Sequence, residues 1–258
     1  MSDLTVYYGD NLAIIDQFPA ATFDLIYIDP PFNTGKTQVR DRIKASFADC
    51  FSDFQGFIKP RLAEAYRLLK PNGSFFLHID YREAHYCKVW LDEIFDRSSF
   101  MNEIIWAYDY GGRATKKWSA KHDSIFWYAK DPKSYTFNFD EMDRIPYMAP
   151  GLVGPKKAAR GKTPTDVWWH TIVPTNGKER TGYPTQKPLG ILNRILKVHT
   201  NPGDLVLDFF AGSGTTGEAA IKLGRDCVLV DSNLEALEVI HKRLAFANPT
   251  YLEGVGNE

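Results

Sequence analysis

Leu205-Val206-Leu207-Asp208-Phe209-Phe210-Ala211-Gly212-Ser213-Gly214-Thr215-Thr216 reads as a short buried strand, a glycine turn and the start of a helix. The apolar run is too short and too continuous for an amphipathic helix, and glycines bound it. Helical spacing then runs through Leu223 and stops at Gly224, and a second strand, Cys227-Val228-Leu229-Val230, carries Asp231 at its tip. A strand, a glycine turn, a helix and a strand ending in an acid about 20 residues on form a nucleoside-binding half of an open α/β sheet. Gly212 and Gly214 let the backbone approach a ligand, and Asp231 can hold ribose hydroxyls. The third glycine of the dinucleotide fingerprint is missing, and no Lys-Thr follows the turn, so the expected ligand lacks a pyrophosphate. Asp208, just ahead of the turn, would repel phosphate and welcome a cation.

The amino-terminal region has a related layout. Thr5-Val6-Tyr7-Tyr8 is a strand closed by Gly9-Asp10, with Asn11 as the expected cap of a short helix that ends at Pro19. Leu25-Ile26-Tyr27-Ile28 is then a buried strand stopped by Asp29-Pro30-Pro31-Phe32. The prolines hold Asp29 extended and donate no ladder hydrogen bond, so a carboxylate, two free carbonyls and a ring gather at a strand's carboxyl end. Asp10 stands at another strand end, as a site residue or as a plain turn residue.

Thr34 to Phe51 has little periodicity and reads as a loop carrying Lys36, Arg40, Arg42 and Lys44. Ser52-Asp53 opens a helix through Leu69, split or kinked by Pro60. Lys70–Gly73 is a turn, Ser74–Asp80 a strand, and Tyr86, Val89, Trp90, Ile94 and Phe95 the expected inner face of the next helix. Asn102–Tyr108 and Ser124–Lys130 read as an antiparallel pair at a sheet edge. Six prolines punctuate residues 131–182, where no strand or helix period persists. From Gly111 to Lys162 there are 11 basic residues against 5 acidic ones, although the whole chain has a net charge of −1. Aromatic residues interleave with them, which is the footprint of a nucleic-acid surface, with a solvated loop as the alternative. In Tyr183-Pro184-Thr185-Gln186-Lys187-Pro188, Thr185 is the expected cap of a helix over Leu189–Val198.

The 258 residues, 44% hydrophobic and 24% charged, fit one large domain or a domain with an insertion. No apolar run approaches the ~20 residues of a membrane span. Three scattered cysteines, Cys50, Cys87 and Cys227, give neither a metal spacing nor a disulfide framework, so a reducing cytoplasm is expected.

Asp29-Pro30-Pro31-Phe32, Tyr183–Pro188 and Phe209–Thr216, in that order, resemble the S-adenosylmethionine-dependent DNA amino-methyltransferases. A catalytic turn ahead of the cofactor loop is similar to their β group, which makes N6-methyladenine or N4-methylcytosine. The resemblance implies a doubly wound, mostly parallel, seven-stranded α/β sheet with an antiparallel edge. It implies a catalytic half over residues 1–130, an inserted target-recognition region over 131–182 and a cofactor half over 183–258. It assigns Asp29, Pro30, Pro31 and Phe32 to the chemistry, the first two accepting the amine's N–H bonds and Phe32 stacking on a flipped base. Asp10, Thr185, Lys187, Asp208, Phe210, Gly212, Ser213, Gly214, Thr215 and Asp231 are assigned to S-adenosylmethionine. Arg113, Lys116, Lys117, Lys121, Lys156, Lys157 and Arg160 are assigned to double-stranded DNA. The sulfonium methyl is already activated, so no metal and no covalent intermediate is required. An Asp-led turn favours adenine N6, with cytosine N4 and a non-catalytic DNA-binding module as alternatives. A homodimer and a companion restriction endonuclease are the further partners the resemblance implies. Two departures stand out: Asp231 where many relatives carry Glu, and Phe32 where they carry Tyr.

Overall fold

All six residues of the strand Phe23–Ile28 are buried, because helices cover it on both faces. It lies at the centre of a computed structural model that describes residues 2–39 and 46–254. In chain order the elements are β1 (Leu4–Tyr8), α1 (Asn11–Ile15), β2 (Phe23–Ile28), β3 (Lys36–Val39), β4 (Ser46–Asp49), α2 (Phe54–Leu68), β5 (Leu69–Ile79), α3 (Ala84–Phe95) and β6 (Phe100–Ala107). There follow β7 (His122–Ala129), α4 (Pro155–Arg160), β8 (Val167–Trp169), α5 (Leu189–His199), β9 (Leu205–Asp208), α6 (Thr215–Lys222), β10 (Asp226–Asp231), α7 (Leu234–Leu244) and β11 (Thr250–Glu253).

Nine strands form one sheet in the order β11-β1-β10-β9-β2-β5-β7-β6-β8. Every neighbour pairs in parallel except β7, which runs antiparallel to β5 and β6. The expected doubly wound sheet is present, with nine strands in place of seven. The additions, β8 and β11, are the two edge strands; their three and four residues leave no readable alternation. One face is packed by α1, α2 and α3 and the other by α5, α6 and α7. Strands β9 and β2 are neighbours, but the helices that follow them, α6 and α2, lie on opposite faces. That makes β9/β2 the topological switch point, where open α/β sheets bind ligands.

Several local readings change. Asp10, not Asn11, caps α1, its carboxylate accepting from Ala13 N at 3.0 Å. Helix α2 runs unbroken through Pro60 and buries Phe54, Ile58, Leu62, Ala65 and Leu68. A single helix face spaced this way contributes roughly 1.5–3 kcal/mol per large apolar side chain, enough to tolerate one missing backbone bond. The Lys70–Gly73 turn is a bulge inside β5, where pairing with β2 jumps from Leu69 to Ser74. Helix α3 turns Ala84, Cys87, Leu91 and Phe95 inward, while Tyr86 and Val89 are exposed. Thr185 caps no helix; it sits in the left-handed region at φ +60°, and Pro188 is the cap of α5. The Thr34–Phe51 loop contains the antiparallel pair β3/β4; its Arg40, Arg42 and Lys44 lie outside the described residues.

The 131–182 region is not uniformly irregular, since it contributes α4 and β8. Because β7 is inverted, the chain leaves it at the amino edge of the sheet. Residues 136–138 are fastened there, Thr136 N donating to Asn72 O and Asn138 N to Val198 O at 2.7 Å. The β6–β7 loop, by contrast, projects from the carboxyl edge, as does the chain leaving β8 after Trp169.

Candidate active site

The carboxyl ends of β2, β9, β10 and β1 each present an acid. Asp29 follows β2, Asp208 ends β9, Asp231 ends β10, and Asp10 follows β1. They line a cavity of about 290 Å³ at the switch point. All the residues expected at the chemistry and the cofactor line it except Gly214, which lies just behind at φ +73° and caps α6.

The glycine turn is shaped by what surrounds it. Gly212 has φ +49°, and a Cβ there would meet the Tyr183 ring at 3.2 Å. Its N–H donates to Asp231 Oδ2 at 2.7 Å, and Asn233 N donates to Oδ1 at 2.9 Å. Burial pushes the Asp231 carboxyl up, partly offset by these backbone donors. Asp208 is more extreme. Fully buried, it is raised to about 7, although Thr216 Oγ1 and Phe210 N donate to it. The negative charges of Asp29 and Asp231 add to the rise.

Asp29 is held from one side only. Its Oδ2 accepts from Lys187 Nζ, a buried ion pair joining residues 158 positions apart. Its Oδ1 is buried and accepts no hydrogen bond. A buried carboxylate oxygen without a donor is costly, so the site is built to receive one. The Lys187 ammonium also sits 5.0 Å from the Phe32 ring centre. Thus Lys187 stands between the Asp29–Phe32 turn and the glycine loop, and its expected freedom to serve a cofactor carboxylate is reduced by its pairing with Asp29.

Sequence reasoning missed several lining groups. Arg61 of α2, buried, pairs with Asp10 at 3.0 Å and donates to Asn11 Oδ1 at 2.6 Å; Asn11 donates onward to Phe209 O at 2.6 Å. That relay fixes the wall formed by β1, α1 and β9. Tyr183 is buried beside Asp231 and Asp29; burial first and then their charges push its hydroxyl well up, so it stays protonated. No sequence signal marks Arg61, which enters the site from a helix distant in sequence; Tyr183 opens the Tyr183–Pro188 motif, but its packing against Gly212 is made across the fold.

Phe32, Tyr183 and Lys187 also wall a second cavity of about 450 Å³, on the side of β5, β6 and β7. Asp80, Tyr108 and Asp123 line it. Behind it, buried His78 bridges Tyr27 Oη at 2.8 Å and Asp123 Oδ2 at 3.1 Å, so the histidine is a hydrogen-bonded core residue. Burial works to raise the Asp123 carboxyl, but bonds from His78 and Tyr108 and the nearby Lys187 charge hold it below its ordinary range. The two cavities meet at Phe32.

The basic residues divide into two sets. Arg113, Lys116 and Lys117 are exposed on the β6–β7 loop at the carboxyl edge, with Lys121 half-buried at its foot. Lys156, Lys157 and Arg160 are exposed on α4 and line neither cavity. None of the first set lines a cavity either, but Tyr108, Ala120 and His122, at the feet of the loop that carries it, line the second one.

Residues 23–242 match the model of the DNA methylase family that covers N6 and N4 methylases. Among curated proteins, the DNA adenine methyltransferase YhdJ of Escherichia coli K12 is 33% identical over 257 residues, spanning 95% of this chain and 83% of that protein. The type II methyltransferase M.HpaI of Haemophilus parainfluenzae is 34% identical over 226 residues, 86% of this chain and 68% of that protein. The crystal structure of an M1.HpyAVI–SAM complex superposes with a TM-score of 0.67 at 25% identity, covering 93% of this chain and 98% of that one. The cytosine-N4-specific PvuII DNA methyltransferase, at 16% identity and a TM-score of 0.65, shares the fold.

Proposed function

The chain belongs to the DNA methylase family, and from that premise we propose that it moves a methyl group from S-adenosylmethionine to N6 of an adenine flipped out of double-stranded DNA. The observation that carries this reading is the Asp29 carboxylate at the switch point, with Oδ1 unbonded and Phe32 beside it between two adjoining cavities.

The first cavity fits the cofactor. Its acids, Asp10, Asp29, Asp49, Asp208 and Asp231, outnumber its cations, Arg61 and Lys187, which suits a sulfonium. Bound S-adenosylmethionine supplies an electrophilic methyl. Asp231 is assigned to the ribose hydroxyls, Asp10 to the adenine end, and Phe210, Ser213 and Thr215 to the methionine end. Gly212 and Gly214 shape the turn, and Thr185 and Lys187 close it from the α5 side. Asp208 lies beneath as a buried acid.

The second cavity receives the flipped base, with Phe32 stacking on it. Asp29 Oδ1 and the Pro30 carbonyl accept the two amine N–H bonds, and Pro31 stiffens the turn that presents them. This draws hydrogen bonds away from the ring plane and leaves the nitrogen lone pair aimed at the methyl. Positioning and electrostatic stabilisation of this sort can contribute several kcal/mol. Residues 1–130 then act as the catalytic half, 183–258 as the cofactor half of the same sheet, and 131–182 with the β6–β7 loop as the part that meets DNA. Arg113, Lys116, Lys117 and Lys121, on the loop whose feet line the second cavity, are assigned as phosphate contacts; Lys156, Lys157 and Arg160 add charge from α4, which lines neither cavity. A companion endonuclease, pairing as a homodimer and a cytoplasmic location complete the proposal.

Incubation of the protein with unmethylated DNA and labelled cofactor, followed by nucleoside mass spectrometry, tests it. N6-methyladenine is the expected product. N4-methylcytosine alone would transfer the assignment to cytosine, and absence of any transfer would leave a DNA-binding module.

A further inference from the structure

Trp118 is 98% exposed, the highest value among the large apolar side chains described, although an indole offers a large apolar face to bury. It lies on the β6–β7 loop, and that loop is fastened rather than free. Arg113 pairs with Asp109 at 2.6 Å, Ser119 Oγ accepts from Ala114 N at 2.7 Å, and Lys121 Nζ donates to Tyr110 O at 2.5 Å. These bonds close the turn and present the indole outward.

The position of the loop gives the exposure a meaning. Its two feet, Tyr108 and Ala120, line the second cavity beside Phe32. Trp118 is two residues beyond Ala120, so it lies within about 7 Å of chain from the cavity wall. Arg113, Lys116 and Lys117 flank it, all exposed. A flat apolar ring among cations, on a loop whose feet line a cavity large enough to admit a base, matches a duplex whose phosphates are gripped while one step is opened.

We propose that Trp118 enters the DNA stack and fills the gap left when the target base swings into the second cavity. This rests on the methylase reading above. The indole replaces the stacking lost by the neighbouring bases and so holds the base out; it does not touch the reacting atoms, and is a positioning residue.

The role separates duplex from single strand, because a single strand leaves no gap that must be filled. Methyl transfer is measured on circular single-stranded phage DNA and on its double-stranded form, for wild type, Trp118→Ala and Trp118→Phe. The expected result is a loss of about tenfold or more on duplex for Trp118→Ala. The single-strand rate should stay within about twofold, and Trp118→Phe should retain most of the duplex rate because it keeps a stacking ring. An equal loss on both forms would make Trp118 a general strand contact and overturn the inference. So would an unchanged duplex rate. If the wild type transfers methyl to neither DNA, the methylase reading itself fails and takes the inference with it.

Discussion

Asp29 has one carboxylate oxygen committed to Lys187 and one left for a ligand. Asp29→Ala should therefore lower kcat at least about 100-fold while cofactor affinity, measured by calorimetry, changes by no more than about fivefold. Retained turnover would remove Asp29 from the chemistry. Asp208 offers a pH test. Its folded-state value, about 7, stands above an ordinary 3.8 because of burial. A folded state that holds a proton more tightly than the unfolded chain is most stable at low pH and loses stability as pH rises from about 4 to about 7. Asp208→Asn escapes that loss. Its stability relative to wild type should improve by a few kcal/mol, about 4 at most, between pH 4 and 8 in urea titrations; a difference independent of pH would contradict the burial argument. The acids and glycines of this site are legible in sequence because each ends a strand with a recognisable apolar run. The Lys187–Asp29 pair, Arg61 and the packing of Tyr183 on Gly212 are not, since these contacts are made across the fold and leave no local pattern.

The elements show the same division. Leu189–Val198 and Leu205–Asp231 could be traced because burial there follows the 3.6-residue and strand patterns closely. The expected inner face of helix α3 holds at Phe95, Trp90 and Ile94 but not at Tyr86 and Val89, which are exposed while Ala84, Cys87 and Leu91 point in. Strands β8 and β11 are too short and too exposed to show a period. Pro60 gives a test at this scale. It lies in the interior of α2, exposed, and lacks the N–H that would bond the Gly56 carbonyl. Pro60→Ala restores that donor and should raise stability by about 1–3 kcal/mol, read from the urea midpoint. A decrease would show that the proline's restraint on the unfolded chain outweighs the missing bond.

For the whole molecule, the net charge of −1 conceals two basic surfaces of unequal standing. Replacing Arg113, Lys116 and Lys117 by alanine should flatten the salt dependence of DNA binding by about two to three in log–log slope. Replacing Lys156, Lys157 and Arg160 should flatten it less, because α4 lies apart from both cavities. An equal effect would place α4 on the duplex. The strand order carries a further consequence, for how the chain is made. Among the described strands β1 pairs with β10 and β11 alone, so once made it waits about 220 residues for its neighbours. At about 5–20 residues per second that is roughly 10–45 s during which both its edges are open. A nascent chain stopped before Asp226 holds Asp29 and the glycine loop yet lacks β10, the strand that joins β1 to β9. The segment around β1 should be open to protease until β10 and β11 emerge, which makes the arrival of those strands, rather than of the Asp29 turn and the glycine loop, the event that closes the sheet.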